Sequence, residues 1–178
     1  ALDKDAAAKV SKLQILTSAE SEYKNISKNN LLSKMRSETD KVQNCTFYYP
    51  KSSPYYADVR SYVLPYIGYN NTSAWLCMQC DYVGSDWTFW DNLIFVIDGE
   101  THSKNVSYFD VDRQSSYPKV FEYYNCALDT TDIELFRKIA DSKETIIRFD
   151  GNYRYDLTVS ESDKNAIRDV LELYDILK

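Results

Sequence analysis

Trp75-Leu76-Cys77-Met78-Gln79-Cys80-Asp81-Tyr82-Val83, then Gly84-Ser85-Asp86, then Trp87-Thr88-Phe89-Trp90-Asp91-Asn92-Leu93-Ile94-Phe95-Val96-Ile97 is the stretch that decides the fold. Two apolar runs rich in aromatic and β-branched residues flank a short turn signal, which reads as a β-hairpin. Strands joined so tightly are antiparallel neighbours, because a parallel return needs a crossover of about a dozen residues. On the first run Leu76, Met78, Cys80 and Tyr82 share one face, and Trp75, Cys77, Gln79 and Asp81 share the other. The second run is apolar on both faces, which predicts a central strand covered by helix on one side.

Downstream, Asp98-Gly99 signals a turn into a return strand near Val106 to Val111, and Pro118 precedes another strand from Val120 to Asn125. Thr131 and Glu134 have the form of a capping box opening a helix that buries Ile133, Phe136, Ile139 and Ala140. Asp150-Gly151-Asn152 joins two short strands, Thr145 to Phe149 and Tyr153 to Thr158. A terminal helix opening near Ser160 buries Ile167, Val170, Leu171, Tyr174 and Leu177.

Upstream, Leu2, Ala6, Val10, Leu13, Leu16, Ala19, Tyr23 and Ile26 recur at intervals of three and four, the mark of an amphipathic helix. Ser27-Lys28-Asn29-Asn30 interrupts the pattern, and Asn30 can cap a second helix carrying Leu31, Leu32, Met35, Thr39 and Val42. The expected organisation is therefore an N-terminal helical hairpin over residues 1–50, extending the same domain, followed by an α+β domain over 51–178. That domain is a mainly antiparallel sheet with helices packed on it. Lys51 to Tyr56 reads as an irregular connection. The near-heptad spacing also permits a partner helix, so assembly through the N-terminal helix is one functional alternative, although a monomer is expected.

The 27 acidic and 21 basic residues give a formal charge of −6 with neither sign gathered into a block, which argues against nucleic acid as a partner. No apolar run is long enough to span a bilayer, so no transmembrane segment is expected. Ala1-Leu2 opens without a basic segment leading into an apolar one, so no signal peptide is read. The supply of Asn, Ser, Thr and Tyr, with 16 tyrosines, points to an extracytoplasmic protein, secreted or envelope-attached, with any anchoring outside this sequence.

Cys45, Cys77, Cys80 and Cys126 match the ligand count of a structural zinc site. Cys77 and Cys80 lie in a strand, however, and point to opposite faces, so no metal is expected, and no cofactor motif is read. A disulfide or buried free thiols remain the alternatives. His102, the sole histidine, falls at a polar hairpin tip and reads as exposed.

Glu122, in Val120-Phe121-Glu122-Tyr123-Tyr124, and Arg148, in Ile146-Ile147-Arg148-Phe149, are charges inside apolar strands and are expected to form a structural ion pair on neighbouring strands. Glu122 is also the candidate catalytic carboxylate if the protein is a small hydrolase using paired carboxylates. Tyr66, Tyr69, Trp75, Trp87, Trp90 and Tyr124 are the candidate ligand-binding residues, as rings able to line a groove for a protein, peptide or carbohydrate. The leading expectation is a non-enzymatic extracytoplasmic binding or interaction domain.

Overall fold

A computed structural model describes the backbone of residues 2–178 and the side chains from residue 8 onward. The class is α+β: a long helix α1 (Leu2–Ser33), ten strands and two further helices. The strands are β1 (Met35–Asp40), β2 (Cys45–Pro50), β3 (Tyr62–Tyr69), β4 (Ala74–Gly84), β5 (Asn92–Ile97), β6 (Glu100–Asn105), β7 (Asp112–Ser116), β8 (Lys119–Ala127), β9 (Thr145–Asp150) and β10 (Arg154–Thr158). Helices α2 (Thr130–Asp141) and α3 (Glu161–Leu177) flank the last hairpin. The strands form two antiparallel sheets, one ordered β1-β2-β3-β4-β8-β7 and the other β10-β9-β5-β6.

The two runs that announce the antiparallel fold are not partners of each other. β4 pairs with β3 and β8, whereas β5 pairs with β6 and β9. The segment between them crosses from one sheet to the other, with Phe89 at φ +53°. Its cause is visible in Trp87 to Asp91, which is too long for a hairpin turn and whose amides are claimed by a side chain of β8, described below. The strand expected over Val106 to Val111 is irregular and contains a single 3-10 turn at Tyr108–Asp110.

The expected helical hairpin is instead one helix and a β-hairpin. Ser27 to Asn30 lowers helix propensity by only a few tenths of a kcal/mol per residue, and without Gly or Pro the helix runs on to Ser33. Leu31, 3% exposed, docks it to the body. Residues 35–40 then pair with 45–50, and Asp40 closes the turn by accepting from the Val42 and Gln43 amides at 2.8 and 3.0 Å. Asn44 takes a left-handed φ of +52°. β2 also pairs with β3, so the N-terminal hairpin joins the same sheet as β3, β4, β8 and β7.

Every described α1 side chain up to Ile26 is exposed, including Val10, Leu13, Ile15, Leu16 and Tyr23. Leu2 and Ala6 of the stripe lie outside the residues whose side chains are described. Among the described residues, the C-terminal end of α1 is fastened to the body through Leu31, Leu32 and a Ser27 to Glu172 hydrogen bond of 3.3 Å, and Lys34 just beyond it forms an ion pair of 2.7 Å with Asp169.

The core sits between the sheets and under α3. Leu76, Met78, Cys80 and Tyr82 of β4 face inward, as their alternation predicts. Tyr82 meets Phe149 and Tyr155 of the second sheet at ring-centroid distances of 6.2 and 5.1 Å, and Trp90 lies 5.3 Å from Phe149. α3 covers β2 and β3 and packs on α2. The capping box of α2 is formed by Asp129 and Asp132, not Thr131 and Glu134, so the helix begins two residues earlier than its sequence signature suggested. Ser160 caps α3 by accepting from the Asp163 amide.

Candidate binding surface

The cross-strand register of the β7–β8 hairpin sets Arg113 opposite Glu122, both on the inward face. Glu122 is 0% exposed and lies beneath the crossing between sheets. Its Oε1 accepts from the Thr88 amide at 2.6 Å, the Thr88 hydroxyl at 2.9 Å and the Phe89 amide at 2.9 Å. Its Oε2 accepts from the Trp90 amide at 3.2 Å and touches Arg113 Nε at 3.4 Å, an ion-pair contact without hydrogen-bond alignment. Arg113 turns its other nitrogens to main-chain oxygens, donating to Tyr108 O at 2.8 Å, Val111 O at 3.0 Å and Trp90 O at 3.0 Å. One buried pair thus fastens two loops, Ser85 to Asp91 and Val106 to Val111, to the sheet.

The pairing expected between Glu122 and Arg148 is replaced on both sides. The two residues lie on different sheets, and Arg148 makes a bidentate bond to Asp156 of β10 at 2.6 and 2.7 Å on the outer face of the second sheet. As a catalytic candidate, Glu122 has both oxygens committed and no surface through which a substrate could reach it.

What the fastened loops present is aromatic. Trp87 stacks on Phe89 at 5.9 Å. The Arg113 guanidinium lies 5.9 Å from the Phe89 ring and 3.9 Å from that of Tyr108, which meets Phe109 edge-on at 5.7 Å. Phe109 is 91% exposed. Positive φ in a bulky residue is uncommon and costs of order 1 kcal/mol, so the Phe89 backbone is held there by its surroundings, chiefly the Glu122 carboxylate on its amide. The turn at Gly151 closes tightly on the first of these loops: a Cβ there would stand 2.3 Å from the Phe89 carbonyl oxygen.

The six aromatic candidates do not form one groove. Trp87 belongs to the loop cluster just described. Trp90 is 0% exposed in the core, with Tyr124 edge-on to it at 6.3 Å, so both serve packing. Tyr69 ends β3, its hydroxyl donating to Asn71 O at 3.2 Å. Tyr66 and Trp75 are half-buried on the outer face of the first sheet, where Tyr66 stacks on Tyr49 at 4.6 Å and Phe47 meets Trp75 edge-on at 6.4 Å. Trp75 lies flat over Gly68, where a Cβ would approach its ring to 2.2 Å.

Beside that outer row, Lys51 to Arg60 straps across the same face, tied at its far side by Lys119 donating to Asp58 O at 3.0 Å. Beneath are Ser53, Tyr62 and Asp81, all nearly or fully buried. Tyr62 and Asp81 are cross-strand partners, yet the tyrosine hydroxyl and both carboxylate oxygens lack a hydrogen-bond partner. Burial pushes the Asp81 carboxyl up to about 7, with the nearby Tyr62 hydroxyl partly opposing.

The four cysteines are separate thiols. Cys77 points outward toward Tyr66 and Cys80 inward, and burial pushes both thiols up. His102 is not at a hairpin tip but on edge strand β6, half-buried, with Nε2 3.5 Å from Glu100.

Sequence reasoning missed Arg113 and the aromatics Tyr108, Phe109 and Phe89. A hairpin centred on Tyr117-Pro118 would have set Arg113 across from Glu122, since residues 116 and 119 pair first. No protein-family model, curated protein or solved structure matches this chain.

Proposed function

We propose that this chain is a non-enzymatic binding domain, working outside the cytoplasm, whose recognition surface is the loop end carrying Trp87, Phe89, Tyr108 and Phe109. The observation that carries the reading is the Glu122–Arg113 pair: a fully buried carboxylate and a largely buried guanidinium are spent on holding aromatic surface loops in one conformation. Rigid, pre-organised aromatic side chains lower the ordering cost of association, which is where affinity is gained. The strained Phe89 backbone fits the same reading, because strain that does nothing for packing accumulates at functional positions. Support for the extracytoplasmic placement is compositional, from the polar, tyrosine-rich chain.

Phe89→Asn separates stability from recognition. Asn tolerates left-handed φ, so relief of strain offsets the lost ring contacts and stability should change by no more than about 1 kcal/mol. The test compares the parent, Phe89→Asn and Phe109→Ser on immobilised panels of peptides and polysaccharides. Folded variants that lose the ligands captured by the parent support the reading. Capture that survives both substitutions removes it.

A further inference from the structure

The charge around these loops narrows the class of partner, on the reading that they form the recognition surface. Asp86 precedes Trp87, Asp91 follows Trp90, Asp110 follows Phe109 and Asp112 precedes Arg113, and all four aspartates are exposed. Among the described residues none of the four forms a salt bridge. Many carboxylates elsewhere are matched: Asp169 by Lys34, Asp163 by Arg60, Asp132 by Lys104, Asp175 by Arg137, Asp156 by Arg148 and Asp150 by Arg154. The one guanidinium within the cluster, Arg113, is turned inward, its side chain 15% exposed and its nitrogens spent on Glu122 and main-chain oxygens. Uncompensated negative charge thus borders the exposed rings of Tyr108 and Phe109 and the half-buried rings of Trp87 and Phe89, on a chain whose formal charge is already −6.

We infer that this loop end docks a cationic polypeptide segment in which Lys or Arg alternates with apolar side chains. Apolar residues of such a segment would lie on Phe109 and the Trp87–Phe89 stack. Its cations would face the aspartates and the ring faces, since an ammonium or guanidinium is attracted both to a carboxylate and to the negative face of an aromatic ring. An acidic or phosphorylated segment would meet like charge on every side, and a neutral polymer would leave the four carboxylates unused. The rings supply contact and the aspartates supply choice and encounter rate.

The probes are three twelve-residue peptides of leucine and serine that differ only in carrying lysine, glutamine or glutamate at alternate positions. Binding to the intact chain is followed by calorimetry and by amide chemical shifts. The lysine peptide is expected to shift residues 85–91 and 106–112, and its affinity should fall as salt rises from about 50 to about 500 mM, because rim charges are screened. Asp86→Asn with Asp110→Asn should weaken it by about tenfold while leaving the fold intact, as expected for two exposed charges. Phe109→Ser should weaken it as well. If the glutamine or glutamate peptide binds these loops as tightly, the cationic class is wrong while the recognition surface stands. If no peptide shifts these loops, or the lysine peptide binds elsewhere, the inference fails; the recognition surface itself then falls only if the panel capture described above also survives Phe89→Asn and Phe109→Ser.

Discussion

Replacing Asp81 by Asn should make the protein more stable, and the gain should depend on pH. The carboxyl is 0% exposed, has no hydrogen-bond partner on either oxygen and is held at about 7 where an ordinary aspartate stands at 3.8. The folded state therefore keeps a proton that the unfolded chain releases near pH 4. Because the folded value is raised, Asp81 costs nothing below about pH 4, removes stability progressively as pH rises through the interval to about 7, and costs its full amount above that. Raising one carboxyl from 3.8 to about 7 corresponds to about 4 kcal/mol. Urea unfolding of parent and Asp81→Asn at several values between about pH 4 and 8.5 reads this directly: the two curves should converge at the acid end and separate by up to about 4 kcal/mol at the alkaline end. A difference that does not vary with pH, or an Asp81 carboxyl that ionises below about 4.5 in a carbon-detected titration, would refute the reasoning.

Glu122→Ala should destabilise by about 3 to 5 kcal/mol, since it leaves three amides and a hydroxyl without their acceptor and Arg113 without its counter-charge; Glu122→Ala with Arg113→Ala should cost less than the sum of the single changes in denaturation experiments. Removing residues 1–25 should leave the unfolding free energy of the remainder within about 0.5 kcal/mol of the parent, because the side chains removed from residue 8 onward are exposed. Sedimentation of the same truncated chain tests the assembly alternative: an unchanged mass would count against pairing through α1.

The class and most strands were legible because each strand carries its own alternation. The inward set Leu76, Met78, Cys80 and Tyr82 is a property of one strand and needs no knowledge of its neighbours. Partner choice is a property of the whole sheet. Trp87 to Ile97 looks like the return arm of a hairpin until Glu122, more than thirty residues later, takes the amides of Thr88, Phe89 and Trp90 and diverts the chain. The same limit explains Arg148, which found Asp156 eight residues on, across a tight turn, instead of the more distant Glu122. Met35 to Val42 misled for a different reason: its apolar residues fit a helical period, but Asp40 and Asn44 are turn residues, and the pairing of Cys45 to Pro50 with β3 offered a sheet edge to join. Within the candidate surface, Trp87 was legible as an aromatic beside a turn, whereas Phe109 gave no periodic signal because it belongs to no regular element.

The way α1 joins the body has a mechanical consequence. The described side chains of the helix up to Ile26 lie in solvent, and its end passes, through one residue, into β1, which is an edge strand of the larger sheet. A pull transmitted along α1 would first meet Leu31, the Lys34–Asp169 pair and the Lys51 ammonium on Ser33 O. Beyond those anchors it would reach the β1–β2 ladder at Met35↔Pro50 and open it rung by rung toward Asp40↔Cys45. The loop of Phe109 runs from β6 into β7, the opposite edge of the larger sheet, five strands away from β1. Tension on the helix would therefore be dissipated in a sacrificial hairpin while the far edge kept its shape.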